Sequence, residues 1–568
     1  MKNLKAQFKL IIYFFLFINI PNIILAKNSD KFSDASDISN YFSGILSIND
    51  NEYEKSYSYL KSLNNLEESH YTYSQYYQYS LVTLKKFKEA ANYSKKLKNK
   101  KLDNFESNLI SAIYYLEDQD LKNTSLYLKK IKYQNKPGSI QNFLSASLNS
   151  WIDFRNISEL NLALNLLDTI PQRFKNVKNI QKTLAHCYFD SPTTDEMFKQ
   201  LTSNSVIDYS RYNFFHSNYL ISKNNEKKSK DIISSSLERY PKNLILNQLK
   251  SDLKDRKVFN DKFDCKSTQD VIAEVFYIAS NSLAAQNNYR ASNFYLDLAK
   301  YLNPNFTSYD SLYAENLIAV KEYERARKIY TEIKKRGEVY NWYASKQIAF
   351  IFIKQDRQED ALNSLKKSFK NIANPSIYEI FDYAEFLKNN DKYKEAIKYY
   401  SKILDLIDKK NTLYAQSMEG RGVSYERTNQ WKSAELDLLN SLKASPNDPY
   451  VINYLAYSWI EKGINIQQSL KMLKKANDLR PNDGYIIDSL GWALFKLKNY
   501  KEAKKHLELA IKYMASDPVV NDHYADSLWM NNKALQARYY WNYVLRLEKT
   551  DEKLKKKIEQ KLLFGLKS

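Results

Sequence analysis

Apolar and small residues recur along this chain in paired helical runs. In residues 484–517, Leu490, Gly491, Leu494 and Leu497 fall at helical spacing, and Ala503, Leu507 and Ala510 do so again after a break at Lys498 and Asn499. That pattern predicts two helices joined by a tight turn. Two helices approach closely only where a side chain is small, which explains Gly491, Ala503 and Ala510. Copies of this 34-residue unit are expected along the chain. Gly44, Ser56, Leu60 and Leu63 open the series; Leu81, Ala90 and Leu97, then Ala112, Thr124 and Leu128, follow at the same period. A stretched copy carries Ala146 and Ala163, a degenerate one lies around Ala185, and Ser217, Ser229 and Ile233 restore the pattern. The segment 250–268 is dense in charge and loses the periodicity, so it is expected to be an irregular joint between 41–249 and 269–550. Eight further units follow, with Ala291, Ala326, Ala361, Ala396, Ala434, Ser469, Ala503 and Ala537 at the close-packing place of each second helix. Residues 551–568 put Leu554, Ile558 and Leu562 on one helical face, as a terminal helix covering the last exposed core would.

Composition sharpens this reading. Nine glycines and eleven prolines are few for 568 residues and sit at expected helix ends, so the chain reads as all-α, with few turns needing a positive φ. Residues 1–26 carry three lysines, an apolar run at 10–18 and a small residue at Ala26, the pattern of a secretory signal peptide, followed by a polar leader at 27–40. Export to the periplasm is expected, with membrane association only through an uncleaved signal segment. The net charge of +21 accompanies enrichment in Lys, Asn, Ile and Tyr together, a bias that AT-rich coding produces, so no nucleic-acid partner is expected. The same charge, with the lysines at 95–101, leaves open a salt-sensitive binder of an anionic envelope polymer or an accessory subunit of an envelope enzyme.

The catalytic and cofactor-binding patterns sought, GxGxxG, GxxxxGK, HExxH and paired CxxC, do not occur, so no enzyme, cofactor or metal is expected. The five histidines, His70, His186, His216, His506 and His523, lie in different repeats. Cys187 and Cys265 are more than two repeats apart; since sequence distance becomes real distance in a stack of repeats, a disulfide between them is not expected.

The small residue, the bulky residue and the later alanine of the unit resemble the tetratricopeptide repeat, although Ala515 stands where that repeat ends in proline. The chain is similar to long exported tetratricopeptide proteins of proteobacteria, most closely over 450–529. The resemblance implies an all-α, right-handed superhelical solenoid of about 13–14 helix-turn-helix units whose first helices carry the ligand contacts. On those helices the corresponding places hold Asn453 and Tyr457, then Tyr485, Asp488, Trp492 and Phe495, then Asp522, Asp526 and Trp529. A strip of aromatic and acidic groups of this kind suits an extended peptide of a partner protein. The subtype that clamps a C-terminal carboxylate uses Lys, Asn and Arg, where this chain has Asn453, Asp488 and Asp522. The resulting expectation is a non-catalytic scaffold of the cell envelope.

Overall fold

In most of the described hairpins a small, fully buried residue of the second helix marks where the two helices cross. The computed structural model describes residues 35–63, 66–131, 139–204, 206–255 and 261–566; the signal segment and most of the polar leader lie outside them. Among the described residues there are 30 α-helices and no strands. They form fourteen successive hairpins, with Leu244–Asp255 and Glu552–Phe564 as single helices. Ser56, Ala90, Thr124, Ala326, Ala396, Ala434, Ser469, Ala503 and Ala537 are all at 0% exposure. In two of these hairpins a glycine stands on the facing helix: a Cβ on Gly491 would lie 2.7 Å from Leu507 Cγ, and one on Gly44 2.6 Å from Leu60 Cδ2. In the hairpin of Thr268–Ala284 and Tyr289–Leu302 the register differs by one residue from expectation. Ser292, at 0% exposure, takes the close-packing place, and Ala291 is only half-buried.

The turns correct the inference drawn from the glycine count. Asn51, Lys85, Asn224, Lys321, Asn429, Lys498 and Asn532 all have a φ near +60°, at one place in their hairpins. At Lys498 the backbone explains why: Asn499 N–H donates to Leu494 O at 2.9 Å and Lys498 N–H to Phe495 O at 2.8 Å, closing the first helix with a left-handed residue. Asn adopts that conformation at little cost because its short polar side chain bonds locally, whereas Lys is strained by it.

Contacts divide the chain between Ile351 and Phe352 into two compact units. In the first, repeats distant in sequence meet. Helix Tyr289–Leu302 packs against Tyr71–Thr83 and Phe105–Glu117, and Thr268–Ala284 packs against Ile140–Asp153. Phe87 stacks on Tyr301 with ring centres 3.8 Å apart, Tyr79 donates to the carbonyl of Arg290 at 3.2 Å, and Lys85 pairs with the buried Asp297. Arg211 grips the buried Glu274 through two bonds of 3.0 and 2.7 Å and lies over the Tyr277 ring. The part of the expected 250–268 joint that is described belongs to this packing. Asp261 accepts hydrogen bonds from the hydroxyl of Tyr340 and from the backbone N–H of Thr307, and Phe263 stacks on Phe215 at 3.8 Å.

This closure overturns the expectation for the cysteines. Cys187 and Cys265 form a disulfide with a Cα separation of 5.9 Å, both residues buried. Sequence distance is a poor guide here because the first unit folds back on itself, bringing the end of Lys175–Tyr188 to the segment that leads into Thr268–Ala284. Replacing both cysteines by serine is expected to lower the stability of the first unit by about 2–4 kcal/mol, measured by chemical denaturation with fluorescence detection. Reducing agent on the wild type should reproduce the loss, and an unchanged midpoint would count against the bridge. Lys498→Gly, which relieves the left-handed lysine, should stabilise the second unit by about 1 kcal/mol, while Lys498→Pro, with φ locked near −65°, should destabilise it.

Candidate functional site

The first-helix face of the second unit is built by helices Pro449–Glu461, Gly484–Lys496 and Pro518–Met530, each packed against the next, with Glu552–Phe564 following Pro518–Met530 and Ala534–Arg546. Their starts share one device. Asp448, Asp483 and Asp517 each accept two backbone N–H groups of the following turn, with Pro449, Gly484 or Pro518 in the first helical position. This fixes where each helix begins and so which side chains line up from repeat to repeat.

The expected acidic strip is not open. Asp488, Asp522 and Asp526 are 5%, 2% and 2% exposed, and each is matched by a cationic or polar group of a neighbouring helix. His523 Nδ1 lies 3.0 Å from Asp488 Oδ2. Lys561 Nζ lies 2.5 Å from Asp522 Oδ1 and 2.7 Å from Asp526, Lys557 reaches Asp522 at 3.3 Å, and Trp541 Nε1–H donates to Asp526 at 3.0 Å. Burial works against a charged imidazole, but the Asp488 carboxylate outweighs it and raises the His523 pKa. Burial likewise opposes the charge on Asp522, and Lys561 and Lys557 overcome it, holding that carboxyl below its usual range. The acidic groups are therefore the stacking contacts between consecutive first helices, unavailable to a ligand. They face the next repeat because their places in the helix turn toward it.

The aromatics divide. Trp492, 5% exposed, is sandwiched between His523 at 3.9 Å and Phe495 at 4.8 Å, and its indole N–H donates to Glu461 at 2.6 Å. Trp529 is half-buried against Trp541 at 5.4 Å, with the guanidinium of Arg538 above it. Gly565, at φ +70°, lets the chain pass where a Cβ would collide with that indole. Asn453, Tyr457 and Phe495 are half-buried. Of the nine expected contact residues, Tyr485 alone is widely open, at 58% exposure.

Tyr485 does not stand alone. Tyr450 and Val519, 51% and 44% exposed, hold the same second helical position in the preceding and following repeats. Leu479 and Tyr513, at the ends of the intervening second helices, are 40% and 49% exposed at the same edge. The result is a ladder of exposed apolar side chains with one rung per repeat. Tyr450, Val519, Leu479 and Tyr513 were not among the expected contact residues. Their signal was available as apolar residues one repeat apart in places where burial gives no reason for them.

No family model matches the chain. A TPR repeat-containing protein of Pseudomonas aeruginosa is 25% identical over 169 residues, covering 28% of this chain. The chain spans only 27% of the length of that relative. Among solved structures, a thermophilic TPR protein of Thermus thermophilus is 14% identical, covers 33% of this chain and 100% of its own, and has a TM-score of 0.29. The TPR protein YrrB, described as having an unusual peptide-binding site, is 16% identical over 33% of this chain and 92% of its own, with a TM-score of 0.26. The Cut9–Hcn1 hetero-tetramer covers 94% of this chain and 97% of its own at 14% identity and a TM-score of 0.38.

Replacing His523 by Gln leaves Asp488 buried without its cation, and a loss of about 3 kcal/mol in the second unit is expected by chemical denaturation. The pH dependence has a definite sign. Because the folded His523 pKa is raised, the pair contributes fully below the unfolded imidazole value of about 6.5, and the contribution is lost as pH rises through the folded value. The gap between wild type and variant should therefore narrow at alkaline pH. A gap that widens instead would exclude the ion pair.

Proposed function

We propose that this tetratricopeptide-type repeat protein is a non-catalytic scaffold that holds an extended segment of a partner protein along the exposed edge of its second unit. The observation that carries the reading is the ladder of Tyr450, Tyr485 and Val519, flanked by Leu479 and Tyr513. Exposed apolar groups scattered singly need no explanation; the same place left apolar and open in three consecutive repeats does. Packed helices lie about 8–10 Å apart, so the rungs follow at about that interval. A polyproline II segment advances about 3.1 Å per residue with three residues per turn, so every third side chain returns to one face after about 9 Å. A partner segment of that conformation with an apolar residue at every third position matches the ladder rung for rung.

The site is proposed to work outside the cytoplasm. The reading rests on the apolar run at 10–18 behind its lysines and on the Cys187–Cys265 disulfide, a bond that persists in oxidising compartments such as the periplasm. Peptides with leucine or phenylalanine at every third position of a proline-rich segment should bind the full chain in fluorescence anisotropy. The same residues in scrambled spacing should bind about tenfold more weakly, and Tyr485→Ser should cost a similar factor. Equal binding of both peptides, or no effect of Tyr485→Ser, would overturn the reading.

A further inference from the structure

Helix Ala35–Asn49 leaves one side uncovered. Ile38, Phe42 and Leu46 stand at intervals of four residues, hence on one face, and are 43%, 58% and 61% exposed. In the hairpins that follow, the corresponding places are closed. Counting on from Phe42 at the 34-residue period, Tyr76 is half-buried, Ile110 is 1% exposed and Leu144 is 0% exposed; counting on from Leu46, Ser80 and Leu148 are at 0% and Tyr114 is half-buried. Each of those first helices packs against the second helix of the hairpin before it: Tyr71–Thr83 against Tyr53–Lys61, Phe105–Glu117 against Phe87–Asn99, and Ile140–Asp153 against Leu121–Leu128. No described hairpin precedes Ala35–Asn49. Its apolar stripe is therefore the surface that a further helix would take.

The chemistry of the helix narrows what covers it. Ala35–Asn49 carries a single charge, Asp37, and no lysine or arginine, on a chain of net charge +21. Helices that lie on anionic lipid hold lysine or arginine along their polar side, so a membrane surface fits this helix poorly. Copies of a strongly cationic chain repel one another, and they meet at least cost through an element that has no cation. The stripe also matches itself. Ile38 and Leu46 each stand four residues from Phe42, so a two-fold axis at Phe42 sets each Ile38 against the Leu46 of the other copy, with the i±4 rows of the two helices interdigitating.

We propose that two copies of this chain pair through helix Ala35–Asn49, antiparallel about a two-fold axis at Phe42. The three side chains supply on the order of 300 Å² of apolar surface per copy, against about 800 Å² per partner in a standard interface, so the pairing is weak and concentration-dependent. Each copy brings its own ladder of Tyr450, Tyr485 and Val519, and where that ladder holds a partner segment as proposed above, the pair is bivalent. The pairing itself does not rest on that reading.

Analytical ultracentrifugation of the full chain from about 1 to about 200 μM should show the mean mass rising from one chain toward two. Phe42→Glu sets two carboxylates face to face and should weaken the association at least about tenfold, and Phe42→Lys should do the same with two ammonium groups. Because Phe42 is exposed in the single chain, neither variant should shift the melting temperature of the monomer at low concentration. Mixed in equal amounts, the two variants should associate again, since the axis brings the two substituted positions together. A chain that stays monomeric at about 200 μM, association indifferent to Phe42→Glu, or a mixture of the variants no more associated than either alone would each overturn the proposal. Flotation of a monomeric chain with phosphatidylglycerol vesicles, lost on Phe42→Glu, would assign the face to lipid, and a monomer whose melting temperature falls with Phe42→Glu would assign it to the chain's own preceding segment; either result overturns pairing between copies.

Discussion

Everything in this molecule depends on two helices being able to touch backbone to backbone at one point. The contact between Gly491 and Leu507, repeated between Gly44 and Leu60 and between Gly422 and Leu438, with Ala503, Ser56 and Ala434 buried in the same second helices, sets the crossing of these hairpins. A hairpin built this way hides only one side of each helix. Its other sides must be covered by the hairpins before and after it, which is why the architecture is a stack and why stability is shared among neighbours. The left-handed residue in the turn belongs to the same constraint. The second helix can fold back at the right angle only if the chain reverses within two residues, and a positive φ supplies that reversal even where the side chain is lysine.

Two departures from simple stacking give the molecule its particular character. In the second unit consecutive first helices are joined by buried charge as well as by apolar packing. Asp488 with His523, and Asp522 and Asp526 with Lys561, are pairs in which neither member could be buried alone, and the exposed Lys557 reaches Asp522 from the rim. Such pairs add little to stability over an apolar contact, but a misregistered neighbour would strand a charge, so they select the correct order of repeats. The terminal helix Glu552–Phe564 uses the same device, its lysines standing where the next repeat would present its own cation. Part of the large positive charge of the chain is thus neutralised internally.

In the first unit the departure is topological. Rather than leaving an open face, the early repeats receive the hairpin of Thr268–Ala284 and Tyr289–Leu302, and aromatic stacking, the Arg211–Glu274 pair and a disulfide hold the closure. Closing a ring of helices costs chain entropy, and the covalent link lowers that cost by restricting the unfolded chain.

The periodic placement of Gly491, Ala503, Ala510 and their counterparts determined by itself that the protein is a series of helical hairpins, about 13–14 of them. These are local matters: a helix face and a close approach are written within one repeat, and thirteen further copies reinforce the reading. The same pattern misplaced Ala291 by one residue, because alanine and serine are interchangeable at a close contact and the turn, not the alanine, sets the register. What tertiary structure alone decided is which surfaces meet. Whether Asp488 faces solvent or the next helix, and whether Cys187 reaches Cys265, depends on small rotations accumulated over many repeats, and no single repeat encodes their sum. For that reason Tyr485 is exposed, while the carboxylates beside it turned out to be mortar between the repeats.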